Sequence, residues 1–315
     1  MSTVEIEVVE EVVSPYIPGT NIQFAWDATS IEQLKRCATL RNYNAQGWRP
    51  KAENIHLRFG SEYHRSLQDY EILRAEGFDH RDCLLDVIRS LLFRIQDFES
   101  DNPNKNRETL VRTVIWYLEK HKDDPAKTWI MTSGKPAVEI NFNFPLDYGP
   151  TPDQPYVLCG KLDRVCIFNG DLFINDHKTT KYGLTEWYWK QFNPNTQMSL
   201  YTLAGKIVFK APIKGVLVDA AQVLVGGTNF DRHIEYRTEE QLDEWLADLK
   251  YHLRFYEACV ANDYWPHNDS ACDKYGGCAF RDYVCSKSPQ VRDKMLKSNF
   301  VQEEPWNPLR TDSLD

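Results

Sequence analysis

The rhythm of apolar and polar residues changes at Lys135-Pro136. Before that point hydrophobic residues recur three and four apart, the spacing of one helix face. Ile31, Leu34, Cys37 and Leu40 mark a first helix that Ser30 or Thr29 can cap, with Glu32 and Gln33 in its first turn. After Gly47 and Pro50 a loop leads to Leu57-Arg58-Phe59-Gly60, and a second helix then carries Tyr63, Leu67, Tyr70 and Leu73 along one side. Residues 81–98 and 107–121 give two more helices around the turn-rich Asp101-Asn102-Pro103-Asn104. Residues 1–28 read as an extended lead-in, because Pro15 and Pro18 break any helix.

Beyond Pro136 the period shortens. Residues 137–144 alternate as a strand, and a hairpin begins near Tyr156. Its centre is Gly160 to Lys178, two apolar segments either side of Asn169-Gly170, a dipeptide suited to a two-residue hairpin turn. A helix over 196–208, strands over 213–225 and 230–236, and a helix over 238–262 patterned by Leu242, Trp245, Leu249, Leu253 and Tyr256 complete the series. Helices in front, a strand-rich middle and an interleaved helix imply one α/β domain, a central mixed sheet flanked by helices with an N-terminal helical region. The expected divisions are the lead-in 1–28, a single domain 29–290 and a tail 291–315. Within the domain, 29–130 is mainly helical, 135–262 is the α/β core and 263–290 is rich in cysteine.

Composition narrows the function. The 315 residues, 42% of them hydrophobic, can fill a substantial core. No apolar run approaches membrane-spanning length, and the acidic N-terminus does not read as a secretory signal, so the expected location is cytoplasmic. A formal net charge of -9 argues against coating nucleic acid by bulk electrostatics, but leaves room for a local basic channel. Lys35, Arg36, Arg41, Arg49, Lys51, Arg58 and Arg65 against Glu53 and Glu62 supply such a segment; a solvated charged face is the ordinary alternative.

The hairpin carries the chemistry. Asp163 lies in its first strand, and the second ends in Asp176-His177-Lys178. Residues two apart in a strand point to one face, so Asp176 and Lys178 stand together. Two carboxylates suffice for a magnesium ion, which otherwise keeps waters and phosphate oxygens. A lysine beside them can orient the attacking water or stabilise charge on a phosphate. Taken alone, the same residues would read as strand salt bridges.

Three further segments change that reading. Gly160-Lys-Leu-Asp163-Arg164 followed by Asp176-His-Lys178-Thr179 resembles the core of the PD-(D/E)XK nuclease superfamily, in particular its RecB-like exonuclease branch. Gly60-Ser-Glu-Tyr-His64 is similar to the upstream G-x-x-x-H element of that branch, and Gln197-Met-Ser-Leu-Tyr201 to its downstream Q-x-x-x-Y helix. The resemblance implies a restriction-endonuclease-like core. It implies Mg2+ or Mn2+ held by Asp163, Asp176, His64 and the His177 carbonyl, with Lys178 catalytic and Gln197 and Tyr201 holding the strand. Glu139 matches a glutamate often found on the preceding strand. Trp187, Tyr188 and Trp189 read as core or as a stacking surface for bases.

The eight cysteines divide into two sets. Cys83, Cys159, Cys166 and Cys259 sit in apolar periodic contexts and read as buried thiols. Cys272, Cys278 and Cys285 are one thiol short of a tetrahedral or cubane set. The resemblance supplies Cys37 as the fourth and implies a 4Fe-4S cluster joining the chain's two ends. The gaps here are wider than the family's common spacing, and zinc is the rival metal.

The function expected is a metal-dependent DNA exonuclease acting on single-stranded ends in recombination, repair or phage DNA processing, with a helicase or recombinase as potential partner. The alternative is a non-catalytic nucleic-acid-binding or assembly module on the same fold, and a plain zinc-stapled protein is a third.

Overall fold

The computed structural model describes residues 14–273 and 277–310. The first thirteen residues of the expected extended lead-in and the last five of the expected tail lie outside the described residues. In chain order the elements are β1 (Ala25–Trp26), α1 (Ala28–Arg36), α2 (Ala38–Ala45), β2 (Trp48–Pro50), α3 (Ile55–Ala75), α4 (His80–Arg94), α5 (Arg107–Lys120), β3 (Lys127–Thr128) and β4 (Val138–Pro145). They continue as β5 (Val157–Phe168), β6 (Asp171–Thr180), α6 (Glu186–Trp189), α7 (Thr196–Phe209), β7 (Ile213–Val223), β8 (Thr228–Tyr236), α8 (Glu239–Ala261), α9 (Arg292–Asn299) and β9 (Phe300–Gln302).

The α/β class and the helical N-terminal region are as the pattern implied. A seven-stranded mixed sheet runs β1-β5-β6-β7-β8, with β3 and β4 also pairing β5. The β5–β6 hairpin is antiparallel and β6–β7 is parallel. A parallel neighbour requires a crossover, and α6 and α7 provide it. That connection lays the start of α7 beside the end of β6, which is where the site forms. One face of the sheet packs through Leu162, Ile174 and Val218 against Met198 and Leu200 of α7 and Trp245 and Leu249 of α8. A second core joins Phe59, Tyr63, Val87, Leu91 and Val114 of α3, α4 and α5 to Ala221 and Val223 of β7.

Several boundaries differ from the sequence pattern. The first helix is capped by Asp27, not by Ser30 or Thr29; Asp27 accepts the Ser30 N–H at 2.8 Å, and the Ser30 hydroxyl accepts the Asp27 N–H in return. It also breaks at Cys37, whose backbone is extended. Thr39, just past the break, donates to the Trp265 carbonyl at 2.8 Å, so a tertiary contact redirects the chain there. Leu57 to Gly60 lie inside α3, because the Asn54 side chain accepts the N–H groups of His56 and Leu57 and starts the helix earlier. After Val291 the chain forms α9 and β9, and β9 pairs antiparallel with β2. No helix among the described residues is long and apolar enough to cross a membrane.

Candidate active site

The site forms where β5 and β6 separate. Their pairing runs from Phe168↔Asp171 to Arg164↔Asn175. Past that pair β6 continues along β7 as far as Thr180, while β5 continues along β4. Asp163 and Asp176 are the first residues beyond the shared ladder. The His177 N–H, released from pairing with β5, donates to Asp163 Oδ2 at 3.1 Å. Glycine suits position 160, where a Cβ would lie 3.0 Å from the Phe142 ring across the ladder and would require that ring to shift.

Lys178 stands between Asp176 and the crossover helix. Its Nζ lies 2.9 and 2.8 Å from the two Asp176 oxygens and 2.9 Å from Gln197 Oε1. Gln197 Nε2 in turn donates to Asp176 Oδ1 at 3.3 Å and to the Tyr201 hydroxyl at 3.1 Å. Gln197 and Tyr201, four apart in α7, therefore face the same ammonium and carboxylate. Met198, Ser199 and Leu200 between them are buried.

His64 comes from the opposite side, on α3, with Nδ1 3.3 Å from Asp163 Oδ2. α3 passes beside the end of β6, where a Cβ on Gly60 would be in ordinary contact with Thr179 Oγ1 at 4.0 Å. Beneath His64, two helical turns on, Glu71 accepts a 2.6 Å hydrogen bond from Arg164 Nη1, and Arg164 Nε donates to Asn175 Oδ1 at 2.9 Å. Arg164 thus ties α3 to both strands of the hairpin from below. The network extends to Asp124, whose two oxygens each accept a 2.6 Å bond from Arg232, and to Asp219, which accepts from Arg232 Nε at 2.7 Å and from the Tyr117 hydroxyl at 2.6 Å.

These contacts set the charges. Burial opposes the charge on Asp163, but the facing His64, with His177 and Lys178 nearby, holds its carboxyl below the ordinary range. Asp176 goes the other way, pushed up by burial against the opposing pull of Lys178, with the Asp163 charge adding to the rise. Burial works against a charged His64, and Asp163 more than offsets it. Burial pushes the His177 imidazole down to about 3, so its ring stays neutral. Two neighbouring carboxyls are thereby set apart in proton affinity.

A family model for the PD-(D/E)XK nuclease superfamily matches residues 25–285. The chain belongs to that superfamily. No curated protein matches the sequence. Among solved structures, a "putative exonuclease" from Eubacterium rectale is similar at 12% identity and a TM-score of 0.52, covering 86% of this chain and 92% of its own, a likeness of fold. The structure of SSO0001, also 12% identical, covers 72% of this chain and 76% of its own, and its TM-score of 0.29 carries no argument.

Nucleases of this superfamily typically use a divalent cation. Asp163, Gln197 and Tyr201 line an open cleft of about 390 Å³. Asp176 Oδ2 is buried and lacks a well-directed hydrogen bond, although the Lys178 ammonium is near. Carboxylate oxygens, one facing the cleft and one without a directed donor, fit a hard cation. Among the described residues no three His, Cys, Asp or Glu side chains form a ready cage. Magnesium does not require one, since phosphate oxygens and water complete its shell. Glu139, opposite Asp163 between the Val138↔Arg164 and Ile140↔Leu162 pairs, has a left-handed backbone and is paired to Lys161 at 3.1 Å.

A thiolate cluster does require a gathered set, and the cysteines as placed do not make one. Cys272, Cys278 and Cys285 lie together nevertheless, the Cys278 N–H donating to the Cys272 carbonyl at 2.8 Å. Cys278 and Cys285 pack with Phe280, Val284 and Phe300. Burial, then the Cys278 thiol and more weakly those of Cys37 and Cys272, push the Cys285 thiol up to about 11 against the pull of Arg292. Cys83, Cys159, Cys166 and Cys259 are buried, as their contexts implied.

The remaining sequence candidates separate cleanly. Tyr188 and Trp189 are core, whereas Trp187 is exposed and meets the exposed Tyr182 ring at 6.4 Å. The basic segment is mostly committed elsewhere: Arg41 is buried and donates to Gln23, Arg49 bonds Asn44, Lys51 caps Ser298 and Arg58 pairs with Glu53 and Asp97. Lys35 and Arg36 line a groove beside the cleft. Glu71, Asp124, Asp219 and Arg232 were not anticipated; the spacing of Glu71 from His64, seven residues along one helix, was the available signal.

Proposed function

We propose that this chain is a metal-dependent DNA exonuclease of the RecB-like type that hydrolyses phosphodiester bonds at single-stranded ends. The observation that carries the reading is the Lys178 ammonium, held between Asp176 and Gln197 beside Asp163 at the parting of two strands. Asp163 and Asp176 would hold one or two Mg2+ or Mn2+ ions, with the His177 carbonyl and His64 as further ligands. The bound ion neutralises phosphate charge and lowers the pKa of an attacking water.

The chain's own groups do the rest. Lys178 orients the water and meets negative charge as it develops on the phosphate, and Gln197 holds Lys178 in place. Arg164 keeps α3 and the hairpin in register from beneath, which fixes His64 against Asp163. Trp187 and Tyr182 offer exposed rings to unstacked bases just past the catalytic strand. The product carries a 5′-phosphate. A setting in recombination, repair or phage DNA processing, with a helicase or recombinase partner, accords with this chemistry. For Cys37, Cys272, Cys278 and Cys285 we propose a 4Fe-4S cluster, or zinc, as a staple between the chain's ends; the packing of Cys278 with Cys285 and the 2.8 Å hydrogen bond from the Cys278 N–H to the Cys272 carbonyl are its support.

Single strands and duplexes labelled at either end, incubated with the protein in Mg2+, Mn2+ or EDTA, test the proposal. Metal-dependent shortening from one end supports it. Intact strands in every metal overturn it.

A further inference from the structure

The cleft that holds Asp163 has a second wall made by the segment after β9. Glu303 anchors this segment, its N–H donating to the Gly47 carbonyl at 3.0 Å. The anchorage is close, since Gly47 has a φ of +83° and a Cβ there would lie 2.0 Å from the Glu303 carbonyl oxygen. Trp306 and Pro308 then line the cleft across from Asp163, Gln197 and Tyr201.

Trp306 is 50% exposed, yet its position is fixed. Its indole Nε1 donates to Asp27 Oδ2 at 2.9 Å, while Asp27 Oδ1 accepts the Ser30 N–H at the start of α1. One edge of the ring is therefore tied to a helix cap and the rest is open. An open ring fixed in place beside a phosphodiesterase site is the arrangement that binds a base by stacking, at little cost in side-chain ordering. The cleft also continues into a groove of about 680 Å³ through the shared residues Thr29 and Glu32, and Lys35 and Arg36 stand in that groove. The groove also holds Glu32, Glu244 and Asp248, so a strand with its end base on Trp306 meets cations locally, at Lys35 and Arg36, and not along a uniformly basic path.

We propose that Trp306 is the stacking platform for a nucleobase adjacent to the scissile phosphate, so that the cleft takes an unpaired nucleotide. This rests on the exonuclease reading. It makes Trp306 a substrate-positioning residue that selects single-stranded ends, because a base in a duplex is already stacked.

The test uses the full chain in a Lys178→Ala background, with fluorescent single strands carrying one abasic nucleotide at successive positions from each end. With Trp306 present, an abasic nucleotide at one position weakens binding by roughly 5- to 100-fold. In Trp306→Ala the intact strand binds weaker by a similar factor and the position-specific penalty disappears, whereas Trp306→Phe keeps both. Trp306→Leu retains apolar bulk without a ring and decides the matter if Trp306→Ala melts early. An unchanged penalty in the Ala or Leu variant overturns the proposal. So does faster cutting by Trp306→Ala in an otherwise wild-type chain, which would mark Trp306 as a cover. If the wild-type chain cuts no strand in any metal, the exonuclease reading falls as well; if it cuts and Trp306→Ala behaves like wild type, only the platform falls.

Discussion

The His177 N–H donates to the Asp163 carboxylate at 3.1 Å, across the point where β5 and β6 stop pairing. A backbone group that would otherwise be unsatisfied thus holds one acid beside the strand that bears the other. Asp163 and Asp176 owe their proximity to the sheet and not to a flexible loop, which is the condition for a site that keeps its geometry between turnovers.

Gln197→Ala leaves Lys178 with Asp176 alone and removes the donor to Tyr201. We expect the cleavage rate to fall about 10- to 100-fold from lost positioning, with the fold intact. Steady-state kinetics should show most of the loss in kcat. A loss confined to KM would place Gln197 on the substrate and not on Lys178.

Arg164→Ala leaves Glu71 and Asn175 without their buried partner. Breaking a buried ion pair from one side costs about 3–5 kcal/mol, measurable by urea unfolding. Arg164→Lys is expected to recover little, since one ammonium cannot reproduce the guanidinium's two directed bonds. Wild-type stability in either variant would remove Arg164 from the role assigned to it.

The Asp124–Arg232 pair predicts a pH dependence. Burial opposes charge on Asp124, but the hydrogen bonds and charge of Arg232 more than compensate and hold its carboxyl below the ordinary 3.8. A carboxyl depressed in the folded state stabilises the protein above its unfolded pKa, and that contribution fades as the pH falls through the folded value. Urea unfolding from pH 6 down to pH 3 should therefore show a steeper loss in the wild type than in Asp124→Asn. Parallel curves would contradict this.

The hairpin was legible because its signals are local: an Asn-Gly turn, alternating apolar residues and two acids at fixed offsets. The mixed sheet and its flanking helices followed from the change of period near Pro136. What could not be read is non-local. The break at Cys37 depends on Trp265, more than two hundred residues away, and the second face of the site depends on Glu71, Asp124 and Arg232 meeting under the sheet. Most of the basic segment turns inward for the same reason, with Lys35 and Arg36 left at the groove: charge in sequence does not say which side chains fold back onto carbonyls and acids. Trp306 had no motif at all; the pairing of β9 with β2 and its hydrogen bond to Asp27 bring it to the cleft.

For the cysteines, protein purified without oxygen should contain about four iron atoms per chain and absorb broadly near 400 nm if the cluster of four irons forms. Cys285→Ser should lose the metal and lower the melting temperature. A colourless preparation with stoichiometric zinc assigns the corner to zinc, and a metal-free, equally stable protein removes the staple altogether.

The central claim is that Asp163, Asp176 and Lys178 form a metal-dependent phosphodiesterase centre. Side-by-side digestion of end-labelled single-stranded DNA in Mn2+ by the wild type and Lys178→Ala tests it most directly. We predict shortening by the wild type that EDTA abolishes, and a rate at least about 100-fold lower for Lys178→Ala with its melting temperature preserved. Equal digestion by the two proteins, or digestion that persists in EDTA, would contradict the account.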